Sequence, residues 1–299
     1  MKKIFSPIII LLAASLLIAG CGNNSGKDTI TVSGKMWTEQ FILTQIMAEL
    51  LKEKTDLDVK VDEGLGEVSI LTPALEKGDI DVYVEYTGTG LEAVLKEQAA
   101  EGASGDEILE QVRKGYEKKF DVTWLKPLGF ENTYTLAYTE DQDFDAKTFS
   151  DLVPLSKDLS FGAPHQFYER EGDGYDAFSK AYGFEFKAKE SYDPNIMYEA
   201  VKNGDVDIIP AFTTDGRIER YNLKSTEDDK GFFPPYHAAP IIRQEVLKEH
   251  PEVEDVLNEL AGKISEKDMS EMNAKVDIDK KEPKDVAREF LISKGLIKE

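Results

Sequence analysis

The sequence predicts an α/β protein made of two similar lobes, on three observations. First, the folded part opens with a strand–helix–strand pattern, the signature of a sheet with crossover helices. Second, a helix–glycine–strand segment occurs twice: Ala74-Leu75-Glu76-Lys77-Gly78-Asp79-Ile80-Asp81 is echoed by Ala200-Val201-Lys202-Asn203-Gly204-Asp205-Val206-Asp207. Third, 299 residues with 41% hydrophobic and 31% charged side chains suffice for a core without staples. A single cysteine rules out an intrachain disulfide.

Each element has a local reason. Thr29 to Ser33 alternates as a short strand, and Gly34-Lys35-Met36-Trp37 reads as a turn. Thr38 suits a helix N-cap, and Glu39 in the first turn complements the helix dipole. Phe41, Ile42, Ile46, Met47, Leu50 and Leu51 then form a helical apolar stripe, with the next strand at Leu57–Val61. Both copies of the repeat end a helix at a glycine and begin a strand through an aspartate. An aromatic–threonine pair follows each: Tyr86-Thr87 in the first, Phe212-Thr213 in the second. Trp124–Leu128, Thr133–Tyr138, Phe161–Pro164 and Val206–Pro210 read as strands, and Tyr175–Tyr182 and Asn195–Lys202 as helices. Asp141 to Lys157 is polar and loop-rich. Four helices are expected at the C-terminal end: Gln244–Glu249, Val253–Ile264, Ser270–Val276 and Lys284–Lys294. Phe232-Phe233-Pro234-Pro235-Tyr236 reads as a surface crossing.

The N-terminus carries an address. Lys2 and Lys3 precede an apolar run from Ile8 to Ile18 and the small residues Ala19 and Gly20, the layout of a secretory signal. Ile18-Ala19-Gly20-Cys21 resembles a bacterial lipobox, so residues 1–20 are expected to be cleaved, leaving a lipidated Cys21 on a 21–28 tether. The folded domain is then extracytoplasmic and anchored to the bacterial cell membrane.

Charge and motif content exclude several functions. Lys and Arg total 36 against 58 Asp and Glu, a net −22 that repels a phosphate backbone. Three histidines and one cysteine supply few ligands for a soft metal. No G-x-S-x-G, H-E-x-x-H or P-loop is present, and no cofactor is implied. Asp81 and Glu85 are the carboxylates an acidic hydrolase of this fold would use. The aromatic residues are more informative. Tyr86 closes a predicted strand, where open α/β folds bind ligands. Tyr134 lies where the chain passes between the lobes, and Tyr198 and Tyr221 flank the second repeat. For any one of them, packing with a satisfied hydroxyl is the commoner role.

Taken in order, Lys35-Met36-Trp37-Thr38-Glu39-Gln40, Gly78-Asp79-Ile80-Asp81-Val82-Tyr83, Glu85-Tyr86-Thr87-Gly88-Thr89, Asn132-Thr133-Tyr134, Thr213-Thr214-Asp215-Gly216-Arg217-Ile218 and Phe233-Pro234-Pro235-Tyr236 resemble the substrate-binding lipoproteins of osmoprotectant ABC importers, which take up glycine betaine, carnitine or choline. The resemblance spans nearly all of the chain beyond the signal. It implies the two-lobed periplasmic-binding-protein fold (type II-like), with two interlobe crossings and a central ligand cleft. On this basis lobe I is expected at 29–131 and 215–299 and lobe II at 132–214. The resemblance implies a cage for a quaternary ammonium group at Tyr86, Tyr134, Tyr198 and Tyr221. It implies carboxylate contacts at Lys35, Thr89 and Arg170, with a further polar contact at Asn132. Such a protein is a monomeric receptor, not an enzyme, and delivers its ligand to an ABC permease and its ATPase. A receptor for a polar amino acid is the other reading of the same fold, and would need a carboxylate facing an α-amine.

Overall fold

A computed structural model describes residues 28–100, 102–170 and 172–299. Cys21 and the expected signal and tether up to residue 27 lie outside the described residues.

The first sheet begins at β1 (Thr29–Ser33) and passes through α1 (Thr38–Lys54) to β2 (Asp58–Asp62). It continues through α2 (Val68–Lys77) to β3 (Val82–Tyr86). A helical turn at Thr87–Thr89 runs into a π-helical segment, Gly90–Leu95. Next come α3 (Gly105–Phe120), opened by a Ser104–Glu107 capping box, and β4 (Val122–Trp124). The chain then leaves for a second sheet: β5 (Tyr134–Thr139), β6 (Ser160–Pro164), α4 (Tyr175–Tyr182), β7 (Ala188–Tyr192), α5 (Pro194–Asn203), β8 (Ile209–Phe212) and β9 (Leu223–Thr226). It returns as β10 (Ala238–Arg243) and ends in helices that include α6 (Glu266–Asp277) and α7 (Pro283–Ser293).

The two sheets have one design. The first has the order β2-β1-β3-β10-β4, with β1 parallel to β2 and β3, and β10 antiparallel to both its neighbours. In the second, β8-β5-β9 is antiparallel throughout and β6-β7 is a parallel pair. A parallel bridge between Phe161 and Ile208 joins them, with the Gly162 N–H donating to the Ile208 carbonyl at 2.9 Å. The resulting order, β7-β6-β8-β5-β9, repeats the first sheet position by position.

The repeat seen in the sequence is this symmetry at atomic detail. Gly78 and Gly204 end α2 and α5 in the left-handed region, at φ +79° and +77°. Behind them the N–H groups of Asp79 and Asp205 donate to the carbonyls of Ala74 and Ala200, both at 2.9 Å, a Schellman closure. Asp81 then fastens β3 to β1: its carboxylate accepts the Thr31 N–H at 2.9 Å. Asp207 fastens the second sheet in the same way, accepting the Ser160 N–H at 2.8 Å. Asp81 also accepts from Arg243 of β10, at 2.9 Å.

The C-terminal helices pack on α1. Ile42, Ile46, Met47 and Leu50 of α1 are buried with Met269, Met272, Val286 and Leu291 in one core. Both crossings run side by side: Glu131 pairs with His237 as an antiparallel bridge, and the Asn132 N–H donates to the Tyr236 carbonyl at 3.2 Å.

Two expectations are corrected. The second crossing was expected near Thr213–Asp215. However, β9 pairs with β5, so the chain stays with the second sheet through Thr226 and crosses over 227–237. The sequence hides β9 because Leu-Lys-Ser-Thr is short and mostly polar. Phe232–Tyr236 is indeed a crossing, but not a surface one, since Phe233 and Tyr236 are buried.

The symmetry yields a stability prediction. An alanine at either helix-ending glycine bears the cost of a left-handed backbone, about 1–2 kcal/mol. At Gly204 an added Cβ meets nothing within 4 Å, whereas at Gly78 it falls 2.7 Å from the Arg243 guanidinium and disturbs the Asp81 pair. Gly78→Ala should therefore lower the urea midpoint more than Gly204→Ala; equal losses would contradict the account.

Candidate functional site

The carboxyl ends of β3 and β8 face a cavity of about 1050 Å³. Open α/β sheets place ligands there because the strand ends and loops form a crevice. Five aromatic residues line it: Trp37, Tyr86, Tyr134, Phe212 and Tyr236. Their positions follow from sheet register. Tyr86 is the last residue of β3, and Phe212 holds the corresponding place in β8. Tyr134 is paired with Phe212 across the β5–β8 ladder, with ring centroids 4.7 Å apart. Tyr236 precedes β10 by two residues, and Ala238 at the head of that strand pairs with Tyr86. Trp37, just before α1, stacks on Tyr86 at 6.4 Å with a 20° interplanar angle.

Six of the residues expected at the site line this one cavity: Lys35, Tyr86, Thr89, Asn132, Tyr134 and Arg170. Tyr198 and Tyr221 do not. Tyr198 is buried in the layer behind the sheet, where its hydroxyl accepts the Phe212 N–H at 3.3 Å and the Arg217 guanidinium lies 3.9 Å from its ring. Tyr221 donates to Glu199 at 2.5 Å and has the Lys202 ammonium 4.1 Å from its ring. Both belong to the helical layer, not to strand ends. Phe212 and Tyr236 line the cavity, as Tyr198 and Tyr221 do not. The signal for Phe212 was the repeated aromatic–threonine pair, and for Tyr236 the motif Phe233-Pro234-Pro235-Tyr236.

Polar groups around the rings are committed to partners. Lys35 and Glu85 form a buried ion pair. Glu85 also accepts from the Tyr83 hydroxyl at 3.1 Å and the Tyr86 N–H at 2.7 Å. The Lys35 ammonium stands 5.0 Å from the Tyr86 ring and 5.3 Å from Trp37, already a cation on aromatic faces. Arg170 donates to the Tyr134 hydroxyl at 2.7 Å and to Asp173 at 2.8 Å.

Glu39 sits on the cavity wall with its side chain buried. Its Oε1 accepts from the Tyr86 hydroxyl at 2.5 Å and Asn132 Nδ2 at 2.9 Å. Its Oε2 accepts from the Thr214 hydroxyl at 2.6 Å and Asn273 Nδ2 at 3.2 Å. Burial raises the Glu39 pKa above the usual carboxylate value, and these four hydrogen bonds oppose the rise. Burial and the neighbouring Glu39 charge both push the Tyr86 phenol up, so it remains a donor. The carboxylates of the hydrolase reading, Asp81 and Glu85, are absent from the lining and are held by Arg243 and Lys35.

Comparison with known proteins agrees with this architecture. Residues 28–293 match the family described as the substrate binding domain of the ABC-type glycine betaine transport system. The chain is 39% identical to the carnitine transport binding protein OpuCC of Listeria monocytogenes, over 97% of each. It is 33% identical to a glycine-betaine-binding protein of Pseudomonas aeruginosa, over 95% of this chain and 92% of that one. A solved structure described as a glycine betaine/carnitine/choline ABC transporter superposes with a TM-score of 0.82 at 34% identity, covering 89% of this chain and 99% of the other. With two matching sheets flanking a ring-lined cleft, and similarity along almost its whole described length, the chain belongs to the family of substrate-binding domains of ABC-type glycine betaine transport systems, extracytoplasmic solute receptors of importers and not enzymes.

Proposed function

We propose that this receptor captures quaternary ammonium solutes of the glycine betaine, carnitine and choline type and delivers them to an ABC permease as a monomer anchored through a lipidated Cys21. The observation that carries the reading is the convergence of Tyr86, Tyr134, Phe212 and Tyr236, with Trp37, on one cavity. A trimethylammonium group has no N–H to donate, so aromatic faces and apolar contact are what can hold it. Each desolvated ring contributes about 0.5–2 kcal/mol. On this reading lobe I spans 29–131 and 238–299, lobe II spans 134–226, and the cage has walls from both. Lys35, Thr89 and Arg170 are the cationic and hydroxyl groups that would meet a ligand carboxylate, Lys35 and Arg170 in competition with Glu85 and Asp173. Asn132 acts through Glu39, to which its amide is bonded.

Calorimetry with choline and glycine betaine tests the cage. Alanine at Tyr86, Tyr134, Phe212 or Tyr236 should each weaken binding by about 1–3 kcal/mol, because ring burial and cation–π attraction are lost together. Tyr221→Ala should change affinity by less than about threefold, since that ring is outside the cavity. A loss at Tyr221 as large as that at Phe212 would show that the cage is wrongly placed.

The role of Lys35 is tested with its partner in hand. Lys35→Met alone strands the Glu85 charge, a cost of about 3–5 kcal/mol to the fold. The double variant Lys35→Met/Glu85→Gln removes both charges. It should lose more affinity for glycine betaine and carnitine, whose carboxylates are left unpaired, than for choline, which has none. Equal losses for the two ligand types would remove Lys35 from carboxylate recognition.

A further inference from the structure

Of the cavity's acidic groups, Glu39 has an arrangement that ligand capture as described does not use. Its carboxylate is buried and takes four hydrogen bonds, all from neutral side chains: Tyr86, Asn132, Thr214 and Asn273. By contrast, the Lys35–Glu85, Arg170–Asp173 and Arg217–Asp215 pairs cancel their own charges. The direction of the Tyr86 bond is fixed by the neighbouring amide. Gln40 Oε1 accepts the Lys35 N–H at 3.3 Å, so Gln40 Nε2 is the side that meets the Val84 carbonyl at 3.1 Å and the Tyr86 hydroxyl oxygen at 3.0 Å. With a donor already on its oxygen, Tyr86 must direct its own proton to Glu39.

A phenol that donates to a carboxylate gains electron density on its ring. The negative face that attracts a cation deepens accordingly. Tyr134 is polarised the other way, because its hydroxyl oxygen accepts from the Arg170 guanidinium. The two tyrosines are therefore not equivalent. From this geometry we infer that Glu39 is a positioning residue that orients and polarises Tyr86 and supplies the negative potential by which the cavity selects a charged ammonium over a neutral group of the same shape. The inference rests on the quaternary-ammonium reading of the site and assigns the charge selectivity within it.

The test compares choline with its neutral carbon isostere, 3,3-dimethylbutan-1-ol, on full-length protein. Choline affinity is measured by calorimetry, and that of the isostere by ligand-observed NMR at millimolar concentration. Glu39→Gln keeps the shape and removes the charge. It should weaken choline about tenfold or more and change the isostere by less than about threefold, so the selectivity ratio collapses. A merely structural role would weaken both ligands alike, and an unchanged ratio overturns the inference. Should Glu39→Gln fail to fold, Tyr86→Phe breaks the same bond and keeps the ring. It should lower the choline-to-isostere ratio about threefold or more. Tyr221→Ala, outside the cavity and bonded to Glu199, not Glu39, should leave the ratio unmoved. A ratio that falls in Tyr221→Ala and not in Tyr86→Phe also overturns it. Wild-type protein that binds neither ligand would defeat the functional reading itself, a result distinguishable from an unchanged ratio.

Discussion

One buried carboxylate holds the parts of this molecule in register. Glu39 begins in the first turn of α1 and receives hydrogen bonds from the end of β3, the first crossing, the segment after β8 and α6. Those four places are the end of the first sheet, the link between the sheets, the end of the second sheet and the C-terminal helical layer. No apolar contact could substitute, because the buried Tyr86 and Thr214 hydroxyl protons would be left unpaired, at about 1–3 kcal/mol apiece. The ring-lined cavity therefore has a floor set by directional bonds, and Tyr86 takes its orientation from that floor.

That arrangement makes the stability of the fold depend on pH. Burial raises the Glu39 pKa in the folded protein above its value in the unfolded chain. The folded state thus favours the protonated form, and this contribution to stability falls as pH rises from the ordinary carboxylate range through the raised folded value. Above that value the charged form is held by its four donors alone. Lys35 and Glu85 follow the other solution for buried charge, an ion pair with extra hydrogen bonds from Tyr83 and the Tyr86 backbone. Two kinds of buried carboxylate thus stand near one another, one paired with a cation and one held by neutral donors.

Much of this was legible in the sequence, for a physical reason. A glycine that must be left-handed and an aspartate that must cap a neighbouring strand leave a pattern at fixed spacing, and Gly78–Asp81 and Gly204–Asp207 displayed it. The α1 stripe and the C-terminal helices were equally readable, because apolar periodicity reports burial. The ring-lined cavity was half legible. Tyr86 and Tyr134 follow from their motifs, whereas Tyr198 and Tyr221 sit near the second repeat in the chain but behind the sheet in space. Phe212 was hidden by its residue type, since a phenylalanine at a strand end reads as core. Yet its place is the equivalent of Tyr86, and the symmetry, taken one step further, points to it. Tyr236 stood in a motif, but its place in the cavity and the second crossing depend on β9 and β10, whose pairings join residues far apart in sequence. The Glu39 network is illegible for the same reason, as all four of its donors come from segments distant in sequence.

The most direct test of the account is a crystal structure of the protein with choline bound. The trimethylammonium group should lie within about 6 Å of the ring centroids of Tyr86, Tyr134, Phe212 and Tyr236, with Glu39 still bonded to Tyr86 behind it. A ligand seated against Tyr198 and Tyr221, or outside the cleft between the two sheets, would contradict it.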